Sequence, residues 1–340
     1  MGGNIEIIGV GGYLPENAVS NFQLENIVDT TNEWIVQRTG IHQRHIAKNS
    51  QTTSDLAVEA VRNALNSAKI DVNDIDMIIC ATTTPDLTFP STACIVQQKL
   101  NLNKTIIAFD IQAVCSGFVY ALSVANDMMK CNHNIKKAIV IGADKMSSII
   151  DWNDRTTCVL FGDGAGAVVL DNNCDEDKIN KSGIIDTELN ANGNFTDILY
   201  ANSGVSDKNF QEITDIDGNI VKTTAGVVKM NGQGVFKHAV EKMTSSIKSI
   251  VEKNNYSLED VKYIIPHQAN YRILSLVADK LKIPQEKFIL TIGEHANTSS
   301  ASIPLALDKV INDGKVKKGD LIIFEALGGG ITWGSVLLRL

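Results

Sequence analysis

The stretch 111–122, Ile-Gln-Ala-Val-Cys-Ser-Gly-Phe-Val-Tyr-Ala-Leu, carries the side chain best placed for covalent chemistry, the thiol of Cys115. It follows the apolar run 105–109. The passage from that run through a brief turn into small residues interleaved with bulky ones predicts a strand handing over to a tightly packed helix that begins near Cys115. At a helix N-terminus, unpaired backbone N–H groups and the positive end of the helix dipole stabilise a thiolate, the nucleophilic form of cysteine. Cys115 is therefore a candidate nucleophile, although a lone free cysteine is more often a small inert core residue.

A second candidate lies in 30–38, Thr-Thr-Asn-Glu-Trp-Ile-Val-Gln-Arg, which opens with Thr and Asn candidates for a helix cap. Trp34 and Arg38 stand four apart and so share a helix face. A flat aromatic beside a guanidinium can clasp a nucleotide base and phosphate; the same spacing equally describes a half-buried Trp with a surface Arg. Gly9-Val10-Gly11-Gly12 is no dinucleotide loop, because position 14 is Leu and no uninterrupted helix follows. The six cysteines, at 80, 94, 115, 131, 158 and 174, include no C-x-x-C pair and no nearby histidine at zinc-ligand spacing. They predict neither a metal site nor a redox motif, and read as reduced thiols of a cytosolic enzyme.

Such residues need a scaffold. A chain of 340 residues exceeds the usual single core, so two domains or two fused halves are expected, and 44% apolar residues suffice for large cores. A formal charge of −8 argues against nucleic acid as the main partner. No charged-then-apolar leader opens the sequence and no apolar run approaches the ~18 residues of a membrane span, so a cytoplasmic protein without membrane association is expected. The glycosylation sequons at Asn194 and Asn297 then read as chance.

Along the chain, 5–10 reads as a short strand and 53–67 as an amphipathic helix with Leu56, Ala60, Val61, Ala64 and Leu65 inward. Residues 72–80 read as a buried strand, Phe89-Pro90-Ser91 as a helix start, and 136–142 as a further strand. Residues 158–170 read as two strands around a glycine turn, and 204–224 as loop. The polar, acidic stretch 171–181 marks a boundary between a half 1–174, carrying the cysteine, and a half 175–340.

The second half repeats the first. Residues 235–253 read again as an amphipathic helix, and 258–266 overlays 72–80 at an offset of 186 (258 minus 72). Residues 300–307 overlay 115–122 at an offset of 185 (300 minus 115), and 321–338, bent at Gly328-Gly329-Gly330, repeats 158–170. Two copies of a β-α-β unit imply a pseudo-twofold fold. If the halves meet through their equivalent central helices, Cys115 faces the turn that holds Asn297 and the loop that holds His267.

The motifs Asn32-Glu-Trp-Ile-Val-Gln-Arg-Thr-Gly40, Phe161-Gly-Asp-Gly-Ala-Gly166, Pro266-His-Gln-Ala-Asn270, Asn297-Thr-Ser299 and Gly328-Gly-Gly-Ile-Thr-Trp-Gly334 extend over nearly the whole chain. In them the sequence resembles the β-ketoacyl-acyl carrier protein synthase III family, the priming condensing enzymes of type II fatty acid synthesis within the thiolase-like superfamily. The resemblance implies a homodimeric α/β enzyme with the thiolase-like five-layer α-β-α-β-α fold and a catalytic triad of Cys115, His267 and Asn297. Related elongating synthases use Cys-His-His, so Asn297 favours the priming class. His295, two residues earlier, would share a side with Asn297 in an extended segment, and reads as supporting or structural. His42, His45, His133 and His238 read as surface or packing residues.

By the same resemblance, Trp34 and Arg155 would sandwich the adenine of coenzyme A, with Thr30 and Arg38 near its nucleotide end. Gly232, Phe236, Asn270 and Arg272 would line the pantetheine tunnel, and Lys237 and Arg272 would meet an acidic acyl carrier protein. Phe89 matches the position that reaches into the neighbouring subunit's acyl pocket, where a bulky ring favours a small primer. Val114 and Ser116 flank the cysteine where Ala is frequent in the family, and Ala296 stands where Gly usually precedes the Asn; both changes bear on acyl preference and leave the triad intact.

The implied reaction is a decarboxylative condensation of acetyl-CoA or another short acyl-CoA with malonyl-acyl carrier protein through an acyl-cysteine. His267 and Asn297 would donate to the malonyl thioester oxygen, and the backbone N–H groups of Cys115 and Gly329 would hold the later oxyanion, each such donor being worth ~3 kcal/mol. No cofactor is expected, since both thioesters are substrates. Two alternatives remain: an acyltransferase of the same fold in secondary metabolism, and a non-catalytic carrier-binding paralogue, which should have lost the cysteine or the histidine.

Overall fold

The computed structural model describes residues 5–172, 182–206 and 210–340. The expected boundary between 174 and 175, and the stretch 171–181 apart from Asp171 and Asn172, lie outside the described residues.

Two sheets organise the molecule. The first contains β1 (Glu6–Tyr13), β2 (Met77–Ala81), β3 (Ile107–Ile111), β4 (Lys137–Asp144) and β5 (Gly164–Asp171), in the order β1-β5-β4-β2-β3. The second contains β6 (Gly183–Phe195), β7 (Tyr263–Pro266), β8 (Leu321–Gly328) and β9 (Gly330–Arg339), in the order β7-β8-β9-β6. Their pairing repeats. β2 runs parallel to β4, β4 antiparallel to β5 and β5 antiparallel to β1, and the series β7, β8, β9, β6 has the same senses. β2 and β7 begin 186 residues apart (263 minus 77). The counterpart of β3 is reduced to one parallel bridge between Ile264 and Phe288.

The helices α1 (Thr53–Ala68), α2 (Thr92–Lys99), α3 (Gly117–Cys131), α4 (Gly232–Lys253), α5 (Tyr271–Leu281) and α6 (Ser302–Asn312) complete five layers. α3 and α6 lie between the sheets, where Phe118 and Leu122 of one and Ile303 and Leu307 of the other share a core with Ile79, Val140, Phe324 and Val336. α1 and α2 cover the outer face of the first sheet, packing Leu56, Val61 and Ala93 on Ile78 and Ile141. α4 and α5 do the same for the second, with Met243, Ile247 and Leu274 on Ile264 and Ile323. Neighbours such as Ile78 and Ile79, or Ile323 and Phe324, point to opposite faces, and both faces are covered. The strands therefore read as unbroken apolar runs rather than as alternating ones.

The ends of β4 and β8 cross-pack on the turns that open the central helices. A 3-10 turn Val114–Ser116 precedes α3 and a second, Ser299–Ala301, precedes α6, 185 residues later (299 minus 114). Each opens on a non-glycine residue in the left-handed region, Val114 at φ 51° and Ser299 at φ 52°, so the duplication extends to an unfavourable backbone conformation at equivalent positions.

Some expectations are corrected. Residues 158–170 hold one strand, β5, and not two; the segment ahead of it bridges to the other half at Phe161 and Asn297 instead of turning back. Residues 72–80 begin with a 3-10 turn, Val72–Asp74, before β2. The stretch 204–224 includes a small hairpin, Gln211–Thr214 with Ile220–Thr223. A helical turn, Ile292–His295, replaces the extended segment assumed for His295.

Candidate active site

Cys115 sits in the turn ahead of α3 and is 4% exposed. The bend between β8 and β9 presses on this turn. A Cβ added to Gly328 would stand 2.7 Å from the Ala113 carbonyl oxygen and 3.0 Å from the Cys115 nitrogen, so only glycine lets the two backbones approach this closely. The Ser116 hydroxyl lies 2.7 Å from that of Thr332, which ties the same turn to β9.

His267 follows the end of β7 and is buried. Its backbone N–H donates to the Glu325 carbonyl at 2.7 Å. Its Nδ1 lies 2.9 Å from the Ser302 hydroxyl, which is itself 2.9 Å from the Ser299 carbonyl oxygen. The next residue, Gln268, donates through Nε2 to the carbonyls of Pro266 and Ile289 and accepts from Thr291 N–H, which stiffens the loop.

Asn297 is held by the first half of the chain: its N–H donates to the Leu160 carbonyl at 3.0 Å, and its carbonyl accepts from Gly162 N–H at 3.0 Å. Its Oδ1 accepts from Ser299 N–H at 3.0 Å, which fixes the amide orientation and leaves the Nδ2 hydrogens as donors.

Cys115, His267 and Asn297 line one cavity of about 130 Å³ together with Gly232, Phe236 and Asn270. Leu160, Phe161, Leu199, Met230 and Met243 make the remaining wall largely apolar. Burial dominates the charge states. It pushes the Cys115 thiol up to about 12, with the Ser299 hydroxyl opposing the rise and Asp144 adding to it. It holds His267 down to about 3, against a smaller opposing effect of the Ser299 backbone. The resting thiolate expected from the helix end is thus corrected: desolvation outweighs the field of the helix terminus, and both groups are neutral near pH 7.

A second cluster lies on the short helix Asn32–Thr39, capped by Thr31. The guanidinium of Arg38 is 4.4 Å, and that of Arg155 5.0 Å, from the Trp34 ring centroid. Arg155 also donates to the Asp29 carbonyl at 2.8 Å, and the nearby Thr30 hydroxyl is buried without a hydrogen-bond partner. Asn270 connects this cluster to the cavity by donating from Nδ2 to the Arg38 carbonyl at 3.0 Å.

Other sequence candidates fall outside the cavity wall. Gly329 is not part of the lining, and Phe89 is 82% exposed ahead of α2. Arg272, on the first turn of α5, and Lys237, on the second turn of α4, are exposed and do not line the cavity. His295 is buried away from the cavity, with Nδ1 unpartnered. Sequence reasoning passed over Ser299, Ser302 and Asp144. The visible signal was the run Ser299-Ser300-Ala301-Ser302, four small residues, three of them hydroxylic, at the start of a helix otherwise apolar enough to be central. Among the described residues no group of His, Cys, Asp or Glu could hold a metal, and no helix is long and apolar enough to cross a membrane.

Comparison with known proteins agrees with this geometry. Two profiles described as 3-oxoacyl-[acyl-carrier-protein] synthase III match, one over residues 109–193 and its C-terminal counterpart over 251–340. A protein of Wolbachia pipientis wMel named beta-ketoacyl-[acyl-carrier-protein] synthase III is 52% identical over 333 residues, covering 98% of each chain. One of the same name from Novosphingobium aromaticivorans is 48% identical over 98% of each. The crystal structure of 3-oxoacyl-[acyl-carrier-protein] synthase III from Aquifex aeolicus VF5 superposes with a TM-score of 0.89 at 46% identity, covering 99% of this chain and 100% of that one. With a duplicated five-layer scaffold, a shared Cys-His-Asn cavity and full-length similarity, the chain belongs to the β-ketoacyl-acyl carrier protein synthase III family.

Proposed function

We propose that the chain condenses a short acyl-CoA, acetyl-CoA in the simplest case, with malonyl-acyl carrier protein, giving acetoacetyl-acyl carrier protein, carbon dioxide and coenzyme A. The observation that carries this reading is one cavity lined by a thiol, a neutral imidazole and a carboxamide whose oxygen is already engaged by the Ser299 N–H, leaving its hydrogens as donors. The half 1–174 contributes the nucleophile and the half 175–340 the other two groups.

In the first step the Cys115 sulfur attacks the acyl carbonyl carbon, the bond from that carbon to the coenzyme sulfur breaks, and the thiol proton leaves on coenzyme A. Ser302 bears on this step and the next, because its one proton has two acceptors at equal distance, Ser299 O and His267 Nδ1. Directed to Ser299, it leaves Nδ1 protonated and Nε2 free to carry the thiol proton to the departing sulfur. Directed to Nδ1, it leaves the imidazole proton on Nε2. His267 and Asn297 then both donate to the malonyl thioester oxygen, stabilising the enolate as carbon dioxide departs. The enolate carbon attacks the acyl-cysteine, whose oxyanion is held by the N–H groups of Cys115 and Gly329, and the sulfur leaves as a thiolate that takes up a proton from solvent, restoring the neutral thiol.

Gly232, Phe236 and Asn270 form the pantetheine path, with Arg272 at its mouth; Trp34, Arg155, Arg38 and Thr30 take the nucleotide end. A sandwiched adenine needs about 7 Å between its flanking groups, two contacts of ~3.5 Å. Arg155, 5.0 Å from the Trp34 centroid, therefore swings away as coenzyme A enters. Lys237 and Arg272 offer positive charge to an acidic carrier protein despite the total of −8. The protein works as a homodimer, Phe89 reaching out of its own chain toward a partner's acyl pocket, acts in the cytoplasm, and requires no cofactor.

Intact-mass measurement after incubation with acetyl-CoA tests the reading. The parent protein is expected to gain one acetyl group and Cys115→Ala none; addition of malonyl-acyl carrier protein should then discharge the adduct as a ketoacyl product. His267→Ala and Asn297→Ala should retain partial acetylation while malonyl decarboxylation falls by on the order of a hundredfold or more. Equal loss of both steps in these variants would contradict the roles assigned.

A further inference from the structure

The duplication is broken at one informative place. β4 ends on Asp144 beside the Ser299–Ala301 turn, as β8 ends on Gly328 beside the Val114–Ser116 turn, but one strand ends in a carboxylate and the other in a residue with no side chain. Asp144 is fully buried, and the described partners of its oxygens are all neutral donors. Oδ1 accepts from Thr83 N–H at 2.7 Å and the Thr83 hydroxyl at 2.8 Å, with the Thr82 and Thr84 hydroxyls further off at 3.3 and 3.4 Å. Oδ2 accepts from Ser300 N–H at 3.0 Å and the Ser300 hydroxyl at 2.6 Å. One oxygen is therefore anchored in the first half and the other holds the second. The contact is tight: a Cβ on Gly142, two residues earlier, would lie 2.3 Å from the Ser300 carbonyl oxygen.

What Oδ2 holds is the hub of the imidazole and carboxamide. Ser299, next to the fixed Ser300 N–H, donates its own N–H to Asn297 Oδ1, and its carbonyl oxygen lies within hydrogen-bond reach of the Ser302 hydroxyl that contacts His267 Nδ1. Ser299 keeps φ at 52°, a conformation that a serine holds only when its surroundings impose it. We propose that Asp144 is a positioning residue for the decarboxylation step, clamping the 299–302 turn to the first half so that Asn297 and His267 present their donors together. This rests on the condensing reaction proposed above. The carboxylate has a second effect on the other step, because its charge disfavours ionisation of the Cys115 sulfur, which lines the same cavity as His267. Asp144 thus aids the malonyl half of the reaction while restraining the nucleophile.

Asp144→Asn separates these effects. An amide presents one acceptor oxygen and one donor nitrogen, so it cannot accept from both Thr83 N–H and Ser300 N–H. Malonyl-acyl carrier protein decarboxylation, followed as carbon dioxide release, is expected to fall on the order of thirtyfold or more. Alkylation of Cys115 by iodoacetamide should become faster at pH 8, its pH profile moving to lower pH. A loss of packing alone would not move that profile downward while acetylation from acetyl-CoA persists. Ser300→Ala keeps the charge and removes the hydroxyl that lies 2.6 Å from Asp144 Oδ2 and 2.9 Å from the Ala81 carbonyl oxygen; decarboxylation should fall severalfold with the alkylation profile unmoved. Thermal melts accompany both variants, and if Asp144→Asn does not fold, Ser300→Ala decides alone. Unchanged decarboxylation in a folded Asp144→Asn, or in Ser300→Ala when it must decide, overturns the proposal, as does equal loss of acetylation and decarboxylation. A parent protein that never acquires an acetyl group overturns the function itself, a separate outcome.

Discussion

Burial, more than any neighbouring charge, decides how individual residues of this molecule hold their protons. Cys115 up to about 12 and His267 down to about 3 are both neutral at working pH, so the proton that must leave the sulfur has a neutral acceptor on the wall of the same cavity. His295 shows the same effect where no chemistry depends on it. Burial lowers it from 6.5 to about 4, with Glu294 opposing, and its Nδ1 has no partner. The unfolded chain takes up a proton at this residue as pH falls below 6.5, whereas the folded chain does so only near 4. The contribution to stability is therefore intact above 6.5 and is lost progressively across that window, by about 2 kcal/mol at pH 5. Replacing His295 by Leu should narrow the drop in Tm between pH 8 and pH 5 by roughly 3 °C. An identical drop in both proteins would show that His295 is not desolvated. Cys115 was legible in the sequence as a nucleophile because a strand, a turn and a helix start surround it. Its protonation was not, because desolvation depends on everything packed around the sulfur.

At the scale of elements, the turns before α3 and α6 do the positioning, and their shape is imposed by strands from the sheets they face. Gly328 is the clearest case. Gly328→Ala would push a methyl group into the Ala113 carbonyl and the Cys115 nitrogen, costing about 1–3 kcal/mol by overpacking. A shift of the nucleophile by a fraction of an ångström should slow acetylation by on the order of a hundredfold, with malonyl decarboxylation less affected. Stopped-flow release of coenzyme A together with a thermal melt checks both, and wild-type acetylation in the variant would remove Gly328 from this role. The helices were legible from their apolar spacing, as in α1 with Leu56, Val61 and Leu65. The stretch 158–170 departs from its expectation for a physical reason: Gly162-Asp-Gly-Ala-Gly166 resembles a hairpin bend in sequence, but Gly164 and Gly166 belong to β5 and the Leu160–Gly162 backbone ahead of it bonds that of Asn297.

The whole molecule is built so that neither half closes its own core. α3 packs on strands of both sheets, and Phe118, Ile303 and Phe324 share one apolar cluster. Fragments 1–174 and 175–340 expressed separately should therefore show no cooperative thermal transition, while the full chain shows one; a cooperative melt of either fragment would contradict a shared central layer. By itself the sequence determined the internal duplication, several strands and helices of each half and, through the family its motifs resemble, the three groups in the cavity. Those follow from local patterns of apolar residues and from motifs short enough to read directly. Only the tertiary structure decided that Cys115 rests as a thiol, that Arg155 lies against Trp34, and that Asp144, Ser299 and Ser302 link one half's strand to the other half's imidazole and carboxamide. Desolvation and hydrogen bonds between residues separated by 156 positions, as Asp144 and Ser300 are, depend on how the layers stack, and no local pattern encodes that distance.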